Sequence, residues 1–253
     1  MQPLAWTSTL LLAAAALWGG ARADADTPEY ILPCKRRDPD INSCVKRAFN
    51  HLRPYLRVGI PEISVPPIDP LLMPRLSMEN GNGAVRVRAV FGNITTRGGS
   101  NYTVTSVKAD VQNYWIDMGL QIPRLESAGN YEVTGNVLLF PVRSQGDFWA
   151  VFHDVAAVVK LRGKEVEAGG RKYMKVDKLL SDFSVGRSRF RVRDHLNHNN
   201  VLGQAMNHFL NQNSDVIIEE MKPAASRSIS SHFKDFMNTA FLKVPIDVWL
   251  HDA

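Results

Sequence analysis

A long run of alternating apolar and polar residues, from about residue 75 to residue 193, constrains the fold more than any other feature. At residues 85–91 apolar side chains take one face, and Arg86 and Arg88 take the other, which is typical of a half-buried strand. Turn-forming residues recur at 98–99, 128–130, 144–146, 168–170 and 186, and they separate strand-like runs at 104–111, 131–140, 148–161 and 174–176. Strands that follow one another without helices between them form antiparallel sheets. The sequence therefore predicts one antiparallel sheet.

Helical periodicity flanks the predicted sheet on both sides. Residues 42–57 place apolar side chains on one face, and an extended, proline-rich connector follows at 59–70. After residue 194 apolar residues again recur at helical spacing. A continuous helix over 214–242 would be about 43 Å long, with Pro223 as the place where a kink or a break is expected. Because this helix is longer than an ordinary sheet face, the order of elements predicts a single α+β domain whose sheet curls around the C-terminal helix.

The composition is that of a packed globular protein. The 253 residues are 45% hydrophobic and 22% charged, which excludes a disordered chain, a collagen-like repeat and a disulfide-dense miniprotein. Length alone allows one domain or two. A chain of this size can bury a large core, or it can leave part of its apolar surface to line a cavity.

The first 23 residues have the form of a secretory signal peptide. An apolar stretch at residues 10–18 precedes the small-x-small sequence Ala21-Arg22-Ala23, after which cleavage would leave Asp24 as the first mature residue. A membrane anchor is the alternative, but the apolar run is short compared with the roughly 20 residues of a spanning helix. We therefore predict a signal peptide at 1–23, a single domain at 24–253 and a secreted, extracellular protein.

Secretion decides how Cys34, Cys44 and two Asn-x-Thr sequences are interpreted. In an oxidising compartment two nearby cysteines are more often bridged than free, and two sulfur ligands are too few for a structural zinc site. We therefore predict a disulfide between Cys34 and Cys44, with free thiols as the alternative. Asn93 and Asn101 each begin an Asn-x-Thr acceptor sequence near the turn at 97–100, and both are predicted to be glycosylated.

Residues arranged for catalysis or metal binding are not recognisable in the sequence. The chain lacks a Gly-x-Ser-x-Gly nucleophile elbow and a phosphate-binding loop. The nearest candidates are His153 beside Asp154 and, near Asp194, the trio His195, His198 and His208. The trio lacks the spacing of a zinc-enzyme motif, and both groups are interpreted as structural polar residues. We predict no catalytic residue, no metal and no cofactor, and a hydrolase of apolar esters is the least favoured alternative.

Alternating arginines mark the last predicted strand. The net charge of +5 is mild, but four arginines would share one strand face: Arg187, Arg189, Arg191 and Arg193. A solvated outer face is the favoured interpretation, and transient contact with an anionic membrane or an acidic receptor is the alternative. Nucleic-acid binding is disfavoured because it also requires stacking aromatic residues and an intracellular address.

Aromatic residues on the strands and the C-terminal helices form the candidate binding site. Each one alone is more typical of core packing. Together, between a curved sheet and a long helix, they could wall an apolar cavity for a small hydrophobic ligand. The predicted lining residues are Trp115, Phe140, Trp149, Phe152, Phe183, Phe209, Phe233, Phe236 and Phe241.

Several motifs in this order resemble the insect juvenile-hormone-binding and takeout family over nearly the whole mature chain. They are the cysteine pair, the connector at 59–71, the blocks at 129–131, 141–143 and 182–186, the helical segment at 210–213, and Val-Pro at 244–245. The absence of a cysteine after Cys44 makes the chain look more like the takeout branch, because the haemolymph hormone carriers have a second disulfide. Ser144 stands where the family often has glycine, so this turn is expected to differ locally.

The resemblance implies a long helix wrapped by a highly curved antiparallel sheet that encloses an apolar tunnel, as in the tubular lipid-binding superfamily. It also implies a carrier of a small hydrophobic ligand, such as juvenile hormone, another terpenoid or a fatty acid, and not an enzyme. We expect a monomer whose ligand leaves water for the tunnel, which contributes about 25 cal/mol per Å² of buried apolar area.

Overall fold

The computed structural model describes residues 27–137, 139–196 and 200–252. The predicted signal peptide at 1–23 lies outside these residues, and so does His198. In chain order, the helices and strands are β1 (Cys34–Lys35), α1 (Ile41–His51), α2 (Arg53–Val58), β2 (Leu71–Asn80), β3 (Val85–Arg97), β4 (Thr103–Asp110), β5 (Trp115–Val137), β6 (Phe140–Ala168), β7 (Arg171–Asp194), α3 (Asn200–Gln212), α4 (Ser214–Phe241), α5 (Ile246–Trp249) and β8 (Leu250–His251).

Six strands form one antiparallel sheet in the order β2-β3-β5-β6-β7, with β4 paired to the first half of β5. Strands β5, β6 and β7 are 23, 29 and 24 residues long, several times the ordinary strand length. The predicted antiparallel sheet is confirmed. The turns predicted at 128–130, 144–146 and 186 are wrong, because β5, β6 and β7 run through those residues as strands.

Glycines inside the long strands mark close approaches between backbones, not chain reversals. A Cβ atom on Gly129 would lie 2.7 Å from the carbonyl oxygen of Gly92 and would also press on the ring of Phe148. At Gly146 a Cβ atom would collide with the carbonyl oxygen of Arg193. A side chain at either position would push the neighbouring strand away, which explains why glycine occupies strand interiors here.

The long helix α4 packs against both edges of the sheet. At one edge, the amide of Ser181 on β7 donates to the hydroxyl oxygen of Ser230 at 2.9 Å. At the other edge, the hydroxyl of Ser228 donates to the carbonyl oxygen of Ser77 on β2. A sheet can bring its two edge strands to one helix only by curling, so α4 closes a ring with β2, β3, β5, β6 and β7.

The predicted helix over 214–242 is confirmed as α4, which has 28 residues and contains Pro223 without ending there. The predicted helix over 42–57 is divided into α1 and α2. Within the described ranges, no helix combines the length and the apolar character needed to cross a membrane.

Asparagine side chains attach the helices to the exposed backbone of edge strands. Asn238 of α4 pairs with both backbone groups of Val176 on β7: the Val176 amide donates to Oδ1 at 2.7 Å, and Nδ2 donates to the Val176 carbonyl at 3.1 Å. The same two-bond pairing is made by Asn50 with Val104, Asn207 with Val192 and Asn211 with Phe190. Each carboxamide takes the place of a neighbouring strand and blocks the addition of another one.

A disulfide and a short β-pairing fix the N-terminal segment. Cys34 and Cys44 form the predicted disulfide, which links β1 to α1. Strand β1 pairs in parallel with β8, and both cysteines lie in a buried cluster with Leu161 and Leu250. This cluster joins both ends of the described chain to the sheet.

One carboxylate holds the connector between α2 and β2. Asp69 accepts hydrogen bonds from the Ser100 hydroxyl at 2.6 Å and from the backbone amides of Gly98 at 3.0 Å and Ser100 at 3.4 Å. Burial acts to raise the pKa of Asp69, but the hydrogen bonds from Ser100 and Gly98 outweigh it and hold that pKa below its ordinary value. The ionised carboxylate therefore ties the connector to the turn before β4.

We expect Asp69→Asn to lower the free energy of unfolding by about 1–2 kcal/mol at pH 7, because charge-assisted hydrogen bonds are lost. The folded pKa lies below the unfolded value of about 3.9, so this contribution is complete above that value and disappears as the pH falls through the folded pKa. Urea unfolding from pH 7 downward should show wild type and variant converging below about pH 4. Asp235→Asn, on the exposed side of α4, is the control. A similar convergence for this variant would contradict the role of the Asp69 hydrogen bonds.

Candidate functional site

The face of the sheet that looks toward α4, the inner face, is defined by its contacts with the helix. Ser181 of β7 contacts Ser230 toward the C-terminal half of α4. Val85 and Val87 of β3 pack with Met221 toward its N-terminal half. The cross-strand pairs and the alternation of exposure then place five phenylalanines on the inner face, here called the inner phenylalanines: Phe91, Phe148, Phe152, Phe183 and Phe190.

Four of the inner phenylalanines contact one another in pairs. The rings of Phe91 and Phe148 meet edge to face with centroids 5.1 Å apart, and those of Phe152 and Phe190 do so at 5.8 Å. All five inner phenylalanines are only partly buried, and none belongs to the buried clusters of the described residues. The inner phenylalanines therefore face the inside of the closed ring and keep part of their apolar surface accessible.

Buried clusters lie on either side of these phenylalanines along the inner face. On one side Ile116, Met118 and Leu161 pack with other apolar residues of the sheet. On the other side Val85 packs with Met221 of α4. The accessible apolar surface is therefore concentrated in the middle of the fold.

A hydrogen-bonded polar group lies on the inner face. The hydroxyl oxygens of Tyr131 on β5 and Ser144 on β6 lie 2.6 Å apart, and Ser144 donates to Asp194 on β7 at 3.0 Å. Tyr131 and Ser144 are buried, and burial raises the pKa of the Tyr131 phenol, which therefore stays neutral. This is not the only polar group among the described inner-face residues, since the hydroxyl oxygens of Thr96 and Ser127 also lie 2.8 Å apart on this face.

The sequence identified part of the inner face and missed the rest. Phe152 and Phe183 were predicted as lining residues and lie on the inner face. Phe91, Phe148 and Phe190 were not among the predicted lining residues. Two of these three carried a usable signal, since Phe91 and Phe190 alternate with arginines that mark the opposite, solvated face.

Three of the four predicted lining residues on the helices pack against buried clusters. Phe233 and Phe236 of α4 contact each other with ring centroids 6.1 Å apart, and Phe241 contacts Trp249 of α5 at 5.7 Å. All three phenylalanines pack against the buried clusters near the C-terminal end of α4. Phe209 of α3 is partly exposed.

Trp115 and Trp149 lie on the outer face and Phe140 lies in solvent at the far end of the inner face, which corrects the assignment of these three predicted lining residues. Trp115 is 49% exposed and has a guanidinium group over its ring at 5.0 Å. Phe140 is 72% exposed at the end of the hairpin formed by β5 and β6. Trp149 lies opposite Arg191 on the outer face, and its indole donates to Glu126 at 3.0 Å. Each of these aromatic side chains contacts a charged group or solvent.

The arginines of β7 occupy the outer face, as the alternation predicts. All four are exposed. Arg187 approaches Asp154 at 3.6 Å, whereas Arg189, Arg191 and Arg193 form no ion pair within the described structure. This row is a positively charged surface on the side of the sheet opposite α4.

The remaining polar candidates lie at the surface. His195 contacts Asp147 at 3.2 Å on the outer face. In the part of the chain that the structure describes, no three His, Cys, Asp or Glu side chains are grouped as metal ligands would be. Asn93 and Asn101 are both exposed, and their glycosylation stays a prediction.

The long helix α4 and the curled antiparallel sheet thus form one ring with partly accessible apolar side chains on its inside. The sequence model of the haemolymph juvenile hormone binding protein (JHBP) family matches residues 8–251. The chain belongs to this family of binding proteins, and both the resemblance and the predicted fold class are confirmed.

Similar proteins from insects agree with the family assignment. The chain is 21% identical over 240 residues to the circadian clock-controlled protein daywake of Drosophila melanogaster, and 21% identical over 238 residues to that of Drosophila yakuba, with 91% of each chain covered in both cases. The crystal structure of Epiphyas postvittana Takeout 1 matches with a TM-score of 0.70 and 22% identity, covering 87% of this chain and 99% of that one. At this identity the structural match shows a shared fold.

Proposed function

We propose that this protein is a secreted carrier that holds a small hydrophobic ligand against the inner phenylalanines. The observation that supports this proposal is the partly accessible set of phenylalanine rings inside the closed ring. A ligand that buries about 300 Å² of apolar surface there gains about 7 kcal/mol before the costs of association. Carriage of this kind requires no proton transfer and no covalent step.

The proposed ligand is an elongated apolar molecule with one polar end: a juvenile hormone, another terpenoid, a fatty acid or a similar lipid. Its polar end would lie beside the hydrogen-bonding group formed by Tyr131, Ser144 and Asp194, and its chain would lie along the inner phenylalanines. The family name, which refers to juvenile hormone, supports this ligand class. Apolar walls discriminate weakly between similar chains, by about 1–3 kcal/mol per methylene, so the polar end contributes most of the selectivity.

Native mass spectrometry of the protein secreted from eukaryotic cells tests this proposal. We expect an excess mass that disappears on denaturation, together with a stoichiometric apolar molecule in the solvent extract. Peptide mapping of the same material tests cleavage after Ala23 and glycans on Asn93 and Asn101. A protein that is empty, and that also takes up neither terpenoids nor fatty acids from a broad panel, would contradict the carrier function.

The charged outer face supports a second candidate function, that of a secreted factor that docks on a receptor or membrane and holds lipid only as a structural component. Its arginines are exposed and three of them form no ion pair within the described residues. The two functions separate when Ser replaces Arg187, Arg189, Arg191 and Arg193. The carrier function predicts unchanged ligand affinity, whereas the docking function predicts loss of surface binding.

A further inference from the structure

Two large apolar side chains stand in solvent at the end of the β5–β6 hairpin. Leu139 is 90% exposed and Phe140 is 72% exposed, and together they are here called the hairpin tip. Strand β7 ends at Asp194, which lies opposite Gly146. The first six residues of β6, 140–145, therefore have no β7 residue beside them. At about 3.3 Å per residue, the tip extends about 20 Å beyond the end of β7.

Arginines stand directly behind the hairpin tip on the outer face. Arg86 is level with Asn136, one residue from the end of β5, and Arg88 and Arg143 both pair with Thr134 in the next outward row. These three residues, the tip arginines, are exposed, and none forms an ion pair within the described residues. The tip is therefore an apolar point with a positively charged base.

The other side of the same end of the molecule is acidic. An open cleft of about 770 Å³ lies between the β2–β3 turn and the first half of α4, and the charged residues that line it are Glu79, Asp215, Glu219, Glu220 and Arg227. The helix side of this end is thus negative and the sheet side is positive. Such an arrangement orients the tip toward an anionic surface with the outer face leading and α4 turned away.

We propose that the hairpin tip docks on an anionic lipid bilayer, with Leu139 and Phe140 among the headgroups and the tip arginines at the charged surface. Exposed apolar side chains next to cationic ones match the two layers of a bilayer interface, where apolar burial and attraction to anionic lipids act together. An acidic soluble partner would account for the arginines but would leave the exposed apolar side chains of Leu139 and Phe140 without a role. Resting on the carrier function, docking would also hold the protein at the surface of a membrane in which its ligand dissolves.

Co-sedimentation of the full secreted protein with vesicles tests docking without reference to any ligand. We expect strong binding to phosphatidylcholine vesicles that contain about 30% phosphatidylserine, and at least about tenfold weaker binding to pure phosphatidylcholine vesicles. Raising the salt from about 0.1 M to about 0.5 M should weaken binding to the anionic vesicles, because the charges are exposed. Equal binding to both vesicle types would overturn the proposal.

Paired variants separate the tip from the rest of the outer face. Ser at both Leu139 and Phe140 should weaken vesicle binding at least about tenfold, and Arg→Gln at each tip arginine should weaken it about fivefold. The matched apolar control places Ser at Val158 and Leu180, each 49% exposed on the outer face far from the tip. The charge control places Gln at Lys160 and Lys178 in the same region. All replaced residues are exposed, and equal losses in tip and control variants would contradict docking through the tip.

Transfer of a fluorescent fatty acid from vesicles to the protein connects docking to carriage. The tip variants should slow transfer from anionic vesicles while leaving the equilibrium affinity for the same fatty acid in solution unchanged. If the protein binds vesicles through the tip but takes up no fatty acid or terpenoid, the carrier function fails and docking stands. If it takes up ligand but binds no vesicle, docking fails and the carrier function stands.

Discussion

The substitution Ala157→Phe should lower the affinity for the hydrophobic ligand by about 50- to 100-fold. Ala157 lies on the inner face of β6, paired with Leu120 on one side and Phe183 on the other, and it is only partly buried. A phenyl ring at this position would occupy space that the ligand needs. Excluding about 100 Å² of ligand surface from burial costs about 2.5 kcal/mol, which corresponds to this loss of affinity.

The preceding residue provides the control. Ala156 pairs with Gln121 and Ser184, and its side chain lies on the outer face, so Ala156→Phe adds the same ring to the same strand without filling the interior. Titration with a fluorescent fatty acid should therefore give wild-type affinity for Ala156→Phe, and thermal unfolding should show that both variants fold. Equal affinities for the two variants would mean that the ligand does not lie on the inner face.

The alternation of apolar residues and the order of elements were enough to predict the architecture, because both depend on local interactions. The one-sided pattern around Val85 and the helical spacing from 214 to 242 each dictate how a segment must bury its apolar side chains. Strand lengths were not predictable in the same way. Gly129 and Gly146 look like turn residues locally, and only the close approach of a neighbouring strand shows why glycine is required inside a strand.

The binding face was harder to predict because the alternation changes phase in the middle of three strands. Pro123, Asp154 and Gly186 lie opposite one another, between the pairs Ile122–Val155–Val185 and Arg124–His153–Arg187. Asp154 has a positive φ of 54°, and a Cβ atom on Gly186 would lie 2.9 Å from the Cβ atom of Asp154. In this row, two consecutive residues of each strand point outward.

This phase change explains the error at Trp149. Strict alternation from Val155 backward along β6 would put Trp149 on the inner face and Phe148 on the outer face. The irregular row at Asp154 reverses that order, so Phe148 faces inward and Trp149 lies among the arginines. A period-two pattern contains no signal for such a row until the three strands are aligned, since Pro, Asp and Gly are common in turns as well.

We expect Asn238→Ala to lower the free energy of unfolding by about 2–4 kcal/mol. Val176 is 1% exposed, and its amide and carbonyl are hydrogen-bonded to Asn238 on the edge of β7 that faces α4. Removing the carboxamide leaves two buried backbone groups without these partners, each at a cost of about 1–3 kcal/mol. The gain in helix propensity from alanine, at most about 0.7 kcal/mol, offsets little of this.

Asn211→Ala tests whether burial, and not the pairing alone, determines the effect. Asn211 makes the same two bonds to Phe190, but these are exposed, so water can replace the lost carboxamide. Urea unfolding should therefore show a loss of less than about 1 kcal/mol for Asn211→Ala. Hydrogen exchange of the Val176 amide should accelerate in Asn238→Ala. Equal losses in the two variants would show that the carboxamides affect the stability of their own helices and not the pairing with β7. A larger loss at Asn238 would instead show that α4 is attached to β7 through the buried pair of Asn238 and Val176, from which water is excluded. This attachment keeps the ring closed around its apolar interior.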